Sequence, residues 1–209
     1  MERAAAFVRP LIGENVTAET LAGELIRKAL HLLIAFVPVL AAYDLQVTMM
    51  LLGGGTLFYI FAEKLRREGR TVFIVSDLTV IASRNRDEGR FVLGPVTLGL
   101  GAMLALLLYP SSAAAVAIWA LAFGDGLASL GGKVFRSVPI PYLRGKTVGG
   151  SLACFAAVFL SSWHLTRSAS TSVLIALAAT LLELVPVKDF DNLLLPVGTG
   201  FLAARLLAA

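Results

Sequence analysis

The sequence has few of the features that build a soluble domain. Charged residues make up only 15% of its 209 residues, whereas about a quarter is usual in soluble proteins. Its one cysteine, Cys154, excludes an intrachain disulfide. The first 21 residues hold three acids and no sustained apolar run, so we expect no signal peptide there. What remains is a chain that is 57% apolar, which indicates an integral membrane protein.

Seven apolar segments are long enough, or nearly so, to cross a bilayer, which takes about 20 residues. They are 29–46, 47–63, 92–109, 113–131, 148–165, 172–187 and 192–207. A further apolar segment, 71–83, is too short to cross and carries Asp77 in its middle, so we predict an interfacial helix there. The expected fold is an all-α, polytopic bundle of about seven transmembrane helices. We expect one integral-membrane domain over 1–209, in which 1–23 is interfacial and 24–207 forms the catalytic bundle.

The positions of lysine and arginine predict how this bundle is oriented. With seven spans, sixteen of the eighteen cations fall on one side, and only Arg167 and Arg205 fall on the other. Short cytoplasmic loops accumulate lysine and arginine, so we place the N-terminus in the cytoplasm. Most acids also fall near the inner ends of the spans. We therefore expect a multi-pass protein, of the inner membrane if the source is bacterial, with its polar chemistry at the cytoplasmic face.

Asp125 follows the apolar run 113–124, and a carboxylate in such a place is costly unless it faces protein, water or a cation. On a helix it shares one face with Ser129 and Gly132, while Gly124 and Gly126 leave the surrounding surface open. This pattern predicts a cleft in which Asp125 and phosphate oxygens bind a divalent ion. The alternative is a hydrogen bond from Asp125 to a neighbouring helix, with the glycines serving close packing.

The loop that follows, 133–151, has the composition of a phosphate site. Its cations can offset phosphate charge, and its glycines let backbone N–H groups approach an anion at the start of the fifth span. It is not a P-loop, because Ile140 stands where that motif needs glycine. An ordinary cationic inner loop with a glycine hinge explains it equally well.

Other candidate groups lie near the same predicted face. Glu24, Lys28 and His31 share one helical face, where His31 could bind a phosphate, accept a proton or make only a structural hydrogen bond. Asp191 could be a metal ligand or only a helix N-cap. Glu63 could serve the metal or pair with Arg66 or Arg67.

In their order along the chain, these motifs resemble the CTP-dependent lipid kinases, a family that includes dolichol kinase, phytol kinase and the CTP-using diacylglycerol kinase. The matching segments are RKALH at 27–31, RDE at 86–88, GDGLASLGGKVF at 124–135, GKTVGGSLACF at 145–155, Glu183, and DNLLLPV at 191–197. The resemblance covers about residues 24–205.

The resemblance implies transfer of the γ-phosphate of CTP to the hydroxyl of a membrane lipid alcohol, either an isoprenoid or diacylglycerol, with Mg²⁺ or another divalent cation. Asp125 and Asp191 are the expected metal ligands. Asp125, His31, Glu88 and Glu183 are the candidate catalytic residues, and the last three are candidates to orient or deprotonate the hydroxyl. The expected nucleotide and phosphate ligands are Arg27, Lys28, Gly124, Gly126, Ser129, Gly132, Lys133, Gly145, Lys146, Thr147, Gly150, Ser151 and Asn192.

Two other classes of function stay open at this point. CTP-using cytidylyltransferases also work in membranes, but their C-terminal signature of paired acids in a Gly-Gly-Asp-Arg setting is missing. A small transporter also needs intramembrane acids, but here the charged groups cluster at one face. We expect CTP, a lipid and the bilayer as partners, and no nucleic acid.

Overall fold

In the computed structural model, the described residues are 18–72, 74–83, 87, 89–134, 138–143 and 145–208, with the side chains of 18–22, 133 and 134 left out. Among these residues every regular element is a helix, apart from an isolated bridge between Pro139 and Thr147. The elements are α1 (Ala18–Leu33), a 3₁₀ turn (Ile34–Phe36), α2 (Val37–Tyr43), α3 (Leu45–Arg67), α4 (Val75–Ala82), α5 (Gly94–Leu108), α6 (Ser111–Trp119), a π-helix (Ala120–Asp125), α7 (Gly126–Val134), α8 (Val148–Thr166), α9 (Ala169–Leu184) and α10 (Asp191–Leu207).

One long helical segment forms the centre of the bundle. α6, the π-helix and α7 run on without a break, and residues 113–118 of α6 are all buried. Alanine predominates here, so the neighbouring backbones can approach closely. The π-helix packs against α1, α8, α9 and α10. The helix that carries Asp125 is therefore surrounded by the rest of the protein, whereas α3 is exposed over most of its surface.

Two prolines place the helices around this centre. Pro38 lacks an N–H group, and the chain tightens into the 3₁₀ turn just before it. The Ala35 carbonyl in that turn accepts a hydrogen bond of 3.1 Å from Trp119 Nε1. Pro196, inside α10, cannot donate to the Asn192 carbonyl. That oxygen lies against α5, where a Cβ on Gly101 would come within 2.1 Å of it.

The short helix α4 is a wall of the bundle rather than an isolated surface element. A Cβ on Gly23 would lie 2.3 Å from the Ile81 carbonyl oxygen, so α1 and α4 are in backbone contact there. Arg27 Nη1 also donates to the Ala82 carbonyl over 2.9 Å. The helix predicted over 71–83 is therefore present, but it covers only 75–82.

The predicted all-α membrane fold is confirmed, because each of the seven predicted segments contains a helix. Four helical stretches are long and apolar enough to cross a membrane: Gly23–Tyr43, Leu45–Arg67, Ser111–Gly132 and Val148–Thr166. α5 and α9 are apolar but shorter, and α10 has 17 residues. The segment predicted over 47–63 reaches Arg67, because the charged residues at its end continue the helix. Seven crossings and a cytoplasmic N-terminus stay predictions.

The orientation is tested with single cysteines in a Cys154→Ala background, where the native thiol is buried. Tyr142 is fully exposed just before α8, and Ser111 is exposed at the start of α6. The two residues lie at opposite ends of the bundle, because the continuous segment from α6 to α7 runs between them. We expect a membrane-impermeant maleimide to label Tyr142→Cys from the cytoplasmic side and Ser111→Cys from the other side. Labelling of both from one side contradicts the orientation, and the cysteine-free parent gives the background.

Candidate active site

Asp125 lies in contact with two basic side chains of α1. Lys28 Nζ is 3.1 Å from Asp125 Oδ2, and His31 Nδ1 is 3.3 Å from the same oxygen. Lys28 is only 3% exposed, and His31 is also buried. A carboxylate and an ammonium group withdrawn from water together need each other, since either one alone would be an uncompensated buried charge. The helical face predicted to carry Lys28 and His31 is thus the face that meets Asp125.

The π-helix explains how Asp125 presents both its side chain and its backbone to α1. A π-helix is rare and is often found at functional sites. Here it ends at Asp125, whose carbonyl oxygen accepts a 3.1 Å hydrogen bond from Lys28 Nζ. Lys28 therefore binds Asp125 twice. On the opposite side, a Cβ on Gly124 would lie 3.1 Å from Val158 and 3.3 Å from Cys154 Sγ, so Gly124 serves close packing against α8.

A cavity of about 390 Å³ opens beside Asp125. Its polar lining includes four carboxylates, from Asp87, Asp125, Asp189 and Asp191, together with Arg27, Lys28, His31 and Asn192. The remaining lining is mostly apolar and comes from α1, α4 and α5. Cavities that bind small molecules commonly have this size and this mixture of apolar walls with a few polar groups. The cavity is therefore the candidate active site.

The carboxylates in this cavity suit a divalent cation that shares its ligands with a phosphate. Asp125 and Asp191 lie close enough for their negative charges to act on one another, and a cation between such groups relieves their repulsion. Lys28 and His31 both contact Asp125 through Oδ2, which leaves Oδ1 able to bind a metal. Within the described ranges no three His, Cys, Asp or Glu side chains are grouped closely enough to hold a metal by themselves. Phosphate oxygens would have to complete the coordination shell.

His31 has a buried ring nitrogen that is unused. Among the described residues Nδ1 has no hydrogen-bond partner, because its 3.3 Å approach to Asp125 Oδ2 lacks hydrogen-bond geometry. An unpartnered buried acceptor next to a carboxylate can take up a proton and then be stabilised by that carboxylate. Of the two described residues predicted to orient or deprotonate the hydroxyl, His31 lines the cavity and Glu183 does not.

The predicted phosphate loop forms a small hairpin next to α8. Ile140 N–H donates to the Lys146 carbonyl over 3.0 Å, and Val148 N–H donates to the Val138 carbonyl over 3.0 Å. Gly145 turns the chain with φ +79°, a conformation that favours glycine. Thr147 caps α8, since its Oγ1 accepts from Gly150 N–H over 3.1 Å. Backbone hydrogen bonds thus join the two described parts of the loop, 138–143 and 145–148.

Lys146 at the end of this hairpin is paired with Glu183 near the end of α9. Glu183 is buried, whereas Lys146 is partly exposed. The Lys146 charge nevertheless acts on both Asp125 and Asp191. Two of the predicted site residues are therefore brought together, but Glu183 does not line the cavity and its carboxylate is occupied by Lys146.

Several predicted glycines and polar groups serve packing instead. A Cβ on Gly132 would lie 2.6 Å from Thr147 Oγ1, and one on Gly150 would lie 2.7 Å from the Ala128 carbonyl oxygen. These positions bring α7 and α8 together, so the packing alternative explains them without a ligand. By contrast, Gly126 meets only Leu32 at an ordinary 3.9 Å. Ser151 Oγ is buried without a hydrogen-bond partner in the described part of the chain.

Some of the remaining predicted residues make contacts between or within helices, and one of them also lines the cavity. Ser129 donates to Glu24, which also pairs with Arg27, so this cluster joins α1 to α7. Asn192 Nδ2 donates to Thr97 Oγ1 over 3.0 Å, although the residue also lines the cavity. Glu63 pairs with Arg66, one of its predicted partners. Glu88 and the Lys133 side chain lie outside the described residues, as does the predicted interfacial segment up to residue 17.

Sequence reasoning missed three features of the site. It gave neither Asp87 nor Asp189 a role of its own, yet both line the cavity. It also missed Tyr59, whose hydroxyl donates to the Val92 carbonyl over 3.1 Å. Asp189 lies two residues before Asp191 in the sequence, and this nearness could have indicated Asp189 as a site residue. Nothing in the sequence pairs Tyr59 with Val92, because that contact depends on how α3 packs.

The fold and the cavity define a helical membrane protein with ionisable groups buried at one end of its bundle. Its relatives are proteins named as phytol kinases. It is 30% identical over 151 residues to a probable phytol kinase, chloroplastic, of Triticum aestivum, covering 63% of this chain and 50% of the relative. It is 28% identical over 161 residues to a protein of the same name from Zea mays, covering 68% and 52%. Over 102 residues it is 34% identical to probable phytol kinase 1, chloroplastic, of Oryza sativa subsp. japonica, covering 40% and 32%.

The resemblance to the CTP-dependent lipid kinases that the motifs indicate is thereby confirmed. The chain spans about half the length of the first two of these curated relatives. No family model matches the chain, and no solved structure matches it.

The contact between Lys28 and Asp125 predicts an asymmetric effect on stability. Lys28→Met leaves the Asp125 carboxylate buried without its ammonium partner, so we expect the free energy of unfolding to fall by about 3 kcal/mol. Adding Asp125→Asn removes the unpaired charge and should restore most of the loss. The measurement is thermal unfolding of the purified protein in detergent, with Lys64→Met, at an exposed position of α3, as the matched control. Unchanged melting of Lys28→Met would show that the two groups do not depend on each other.

Proposed function

We propose that the protein is a lipid kinase that transfers the γ-phosphate of CTP to the hydroxyl of an isoprenoid alcohol at the cytoplasmic membrane face. The observation that carries the proposal is the cavity, which combines buried ionisable groups with an apolar lining. A lipid alcohol needs both environments at once, because its hydroxyl must meet the phosphate donor while its chain stays out of water. The similarity to phytol kinases supports the acceptor class. The choice of CTP is supported by the motifs alone.

The cationic groups suit a triphosphate that approaches the polar end of the cavity. Lys28 and Arg27 line that end, and Lys146 lies near enough to act on Asp125 and Asp191. When the nucleotide binds, Lys146 can exchange Glu183 for phosphate oxygens, and Ser151 Oγ supplies an unused donor at the start of α8. A divalent cation bound by Asp125 and Asp191 would offset the phosphate charge.

The transfer itself moves one phosphoryl group and one proton. The lipid oxygen attacks the γ-phosphorus, the bond from that phosphorus to the β–γ bridging oxygen breaks, and CDP leaves with the bond's electron pair. The hydroxyl proton passes to His31 Nδ1, which has no other partner among the described residues. Asp125, 3.3 Å away, then stabilises the protonated imidazole. Lys28 holds Asp125 in place through both its carboxylate and its backbone carbonyl.

The class of reaction is tested by incubating the purified protein with CTP labelled at the γ-phosphate and Mg²⁺. Phytol, farnesol, dolichol and diacylglycerol are supplied separately as acceptors, and ATP labelled in the same position is the donor control. We expect label in the lipid phase with CTP and an isoprenoid alcohol. Absence of transfer to every lipid, from protein that melts cooperatively, would exclude the kinase and favour a transporter. Release of pyrophosphate with cytidine in the lipid would indicate a cytidylyltransferase instead.

The role of Asp125 is tested with Asp125→Asn, which keeps size and hydrogen-bonding capacity but removes the negative charge. We expect the initial rate of transfer to fall at least about a hundredfold, which corresponds to about 2.7 kcal/mol of transition-state stabilisation. The melting temperature should fall as well, because the amide leaves the buried Lys28 ammonium without its carboxylate, so the rate is measured well below it, where the variant is folded. Rate and melting temperature are measured on one sample, with Asp77→Asn on the exposed face of α4 as the matched control. A normal rate would limit Asp125 to a structural ion pair.

A further inference from the structure

The apolar part of the cavity extends from the ionisable groups along α1 and α5. Leu33, the last residue of α1, follows Lys28 by five residues, so it lies about 7.5 Å further along the helix. Ile34, the first residue of the 3₁₀ turn, comes next. On α5, Leu98 lies four residues beyond Gly94, at which the helix begins. Both helices run from the polar end toward the middle of the expected bilayer. We call this part of the cavity, lined by Leu33, Ile34, Leu78, Leu93 and Leu98, the apolar arm.

The side chains of the apolar arm reach the outer surface of the bundle as well as the cavity. Leu33 is 61% exposed, Leu93 is 41% exposed and Leu78, on α4, is 37% exposed. By contrast Leu98, on α5, is only 6% exposed. In a membrane, the surface around Leu33 and Leu78 contacts lipid. The lining of the arm is thus exposed at Leu33 on α1 and Leu78 on α4, and buried at Leu98 on α5.

The polar groups beside the apolar arm already have partners. Thr79 Oγ1 donates to the Val75 carbonyl over 2.7 Å, and Tyr59 Oη donates to the Val92 carbonyl over 3.1 Å. A polar occupant would therefore find few free partners in the arm and would lose the hydrogen bonds it makes in water. A hydrocarbon chain loses nothing there and gains the contact area.

We propose that the apolar arm binds the hydrocarbon chain of the lipid acceptor, which enters from the bilayer between α1 and α4. This inference rests on the proposed function for the identity of the acceptor. It adds where the hydrocarbon chain binds, from which side the lipid enters, and which residue limits the length of the chain. Leu98 is that residue, because it is the most deeply buried of the side chains that line the arm. The cavity of about 390 Å³ is near the lower end of the size range for small-molecule sites. It suits one chain with its hydroxyl group rather than the two acyl chains of diacylglycerol.

The chain site is tested first by a measurement that needs no catalysis. A farnesol analogue with a diazirine on its chain is irradiated with the full-length protein in nanodiscs, and the labelled peptides are mapped by mass spectrometry. We expect label on peptides that contain residues 75–82 and 93–98, and loss of that label when unlabelled farnesol competes. Label spread over the outer face of α3, without competition, would overturn the inference.

The length limit is tested by Leu98→Phe, with Leu100→Phe as the matched control on the same helix. Leu100 is 39% exposed and does not line the cavity. We expect Leu98→Phe to shift the ratio of kcat/KM for a C10 alcohol over a C20 alcohol by about tenfold toward the shorter chain, whereas Leu100→Phe leaves the ratio within about twofold. An equal loss for both lengths would contradict the inference.

The two proposals fail in different ways. Competed labelling of the apolar arm without phosphate transfer to any alcohol would leave the chain site standing and remove the kinase. Transfer to isoprenoid alcohols, together with label away from the arm, would keep the kinase and remove the chain site. If Leu98→Phe does not fold, mapping of the label on the unsubstituted protein still decides the question.

Discussion

The buried contact between Lys28 and Asp125 is the interaction on which the site depends. A carboxylate within an apolar helix is costly, and pairing it with an ammonium group offsets that cost only when the geometry is good. Lys28 provides such geometry by binding both the carboxylate and the backbone carbonyl of Asp125. This double contact fixes α1 against the π-helix and places His31 beside the same carboxylate. The cavity follows from it, because its polar end is the space between α1 and the start of α10.

Buried ion pairs seldom stabilise a protein more than an apolar pair of the same shape would. The chain nevertheless has a second ion pair, in which the partly exposed Lys146 contacts the buried Glu183. Two such pairs at one end of an otherwise apolar bundle are hard to explain by stability. They are readily explained if both cations can turn to an anionic ligand, since each carboxylate then holds its cation in place until the ligand arrives.

Much of the fold followed from the sequence because apolar length and helical periodicity are local properties. Among the described residues they indicated the α-helices of the bundle, though not the π-helix, and the face of α1 that carries Lys28 and His31. They also indicated Asp125 as the unusual residue, since a single acid interrupts a long apolar run. What local patterns could not give was the pairing of distant residues, such as Lys146 with Glu183 or Asn192 with Thr97. Such pairs depend on helix packing, and that packing assigned Gly132 and Gly150 to helix contacts rather than to a phosphate.

The π-helix makes the spacing along the central helix as important as its composition. Each residue turns an α-helix by about 100°, so a register change of one residue moves a side chain to a different face. A π-helix takes up one residue more than an α-helix would need, without changing the faces of the α-turns on either side of it. Removing one residue from Ala120–Gly124 would therefore let the segment relax into ordinary α-turns with Asp125 still facing Lys28. Removing a second residue would turn Asp125, α7 and the hairpin after it by about 100° away from α1.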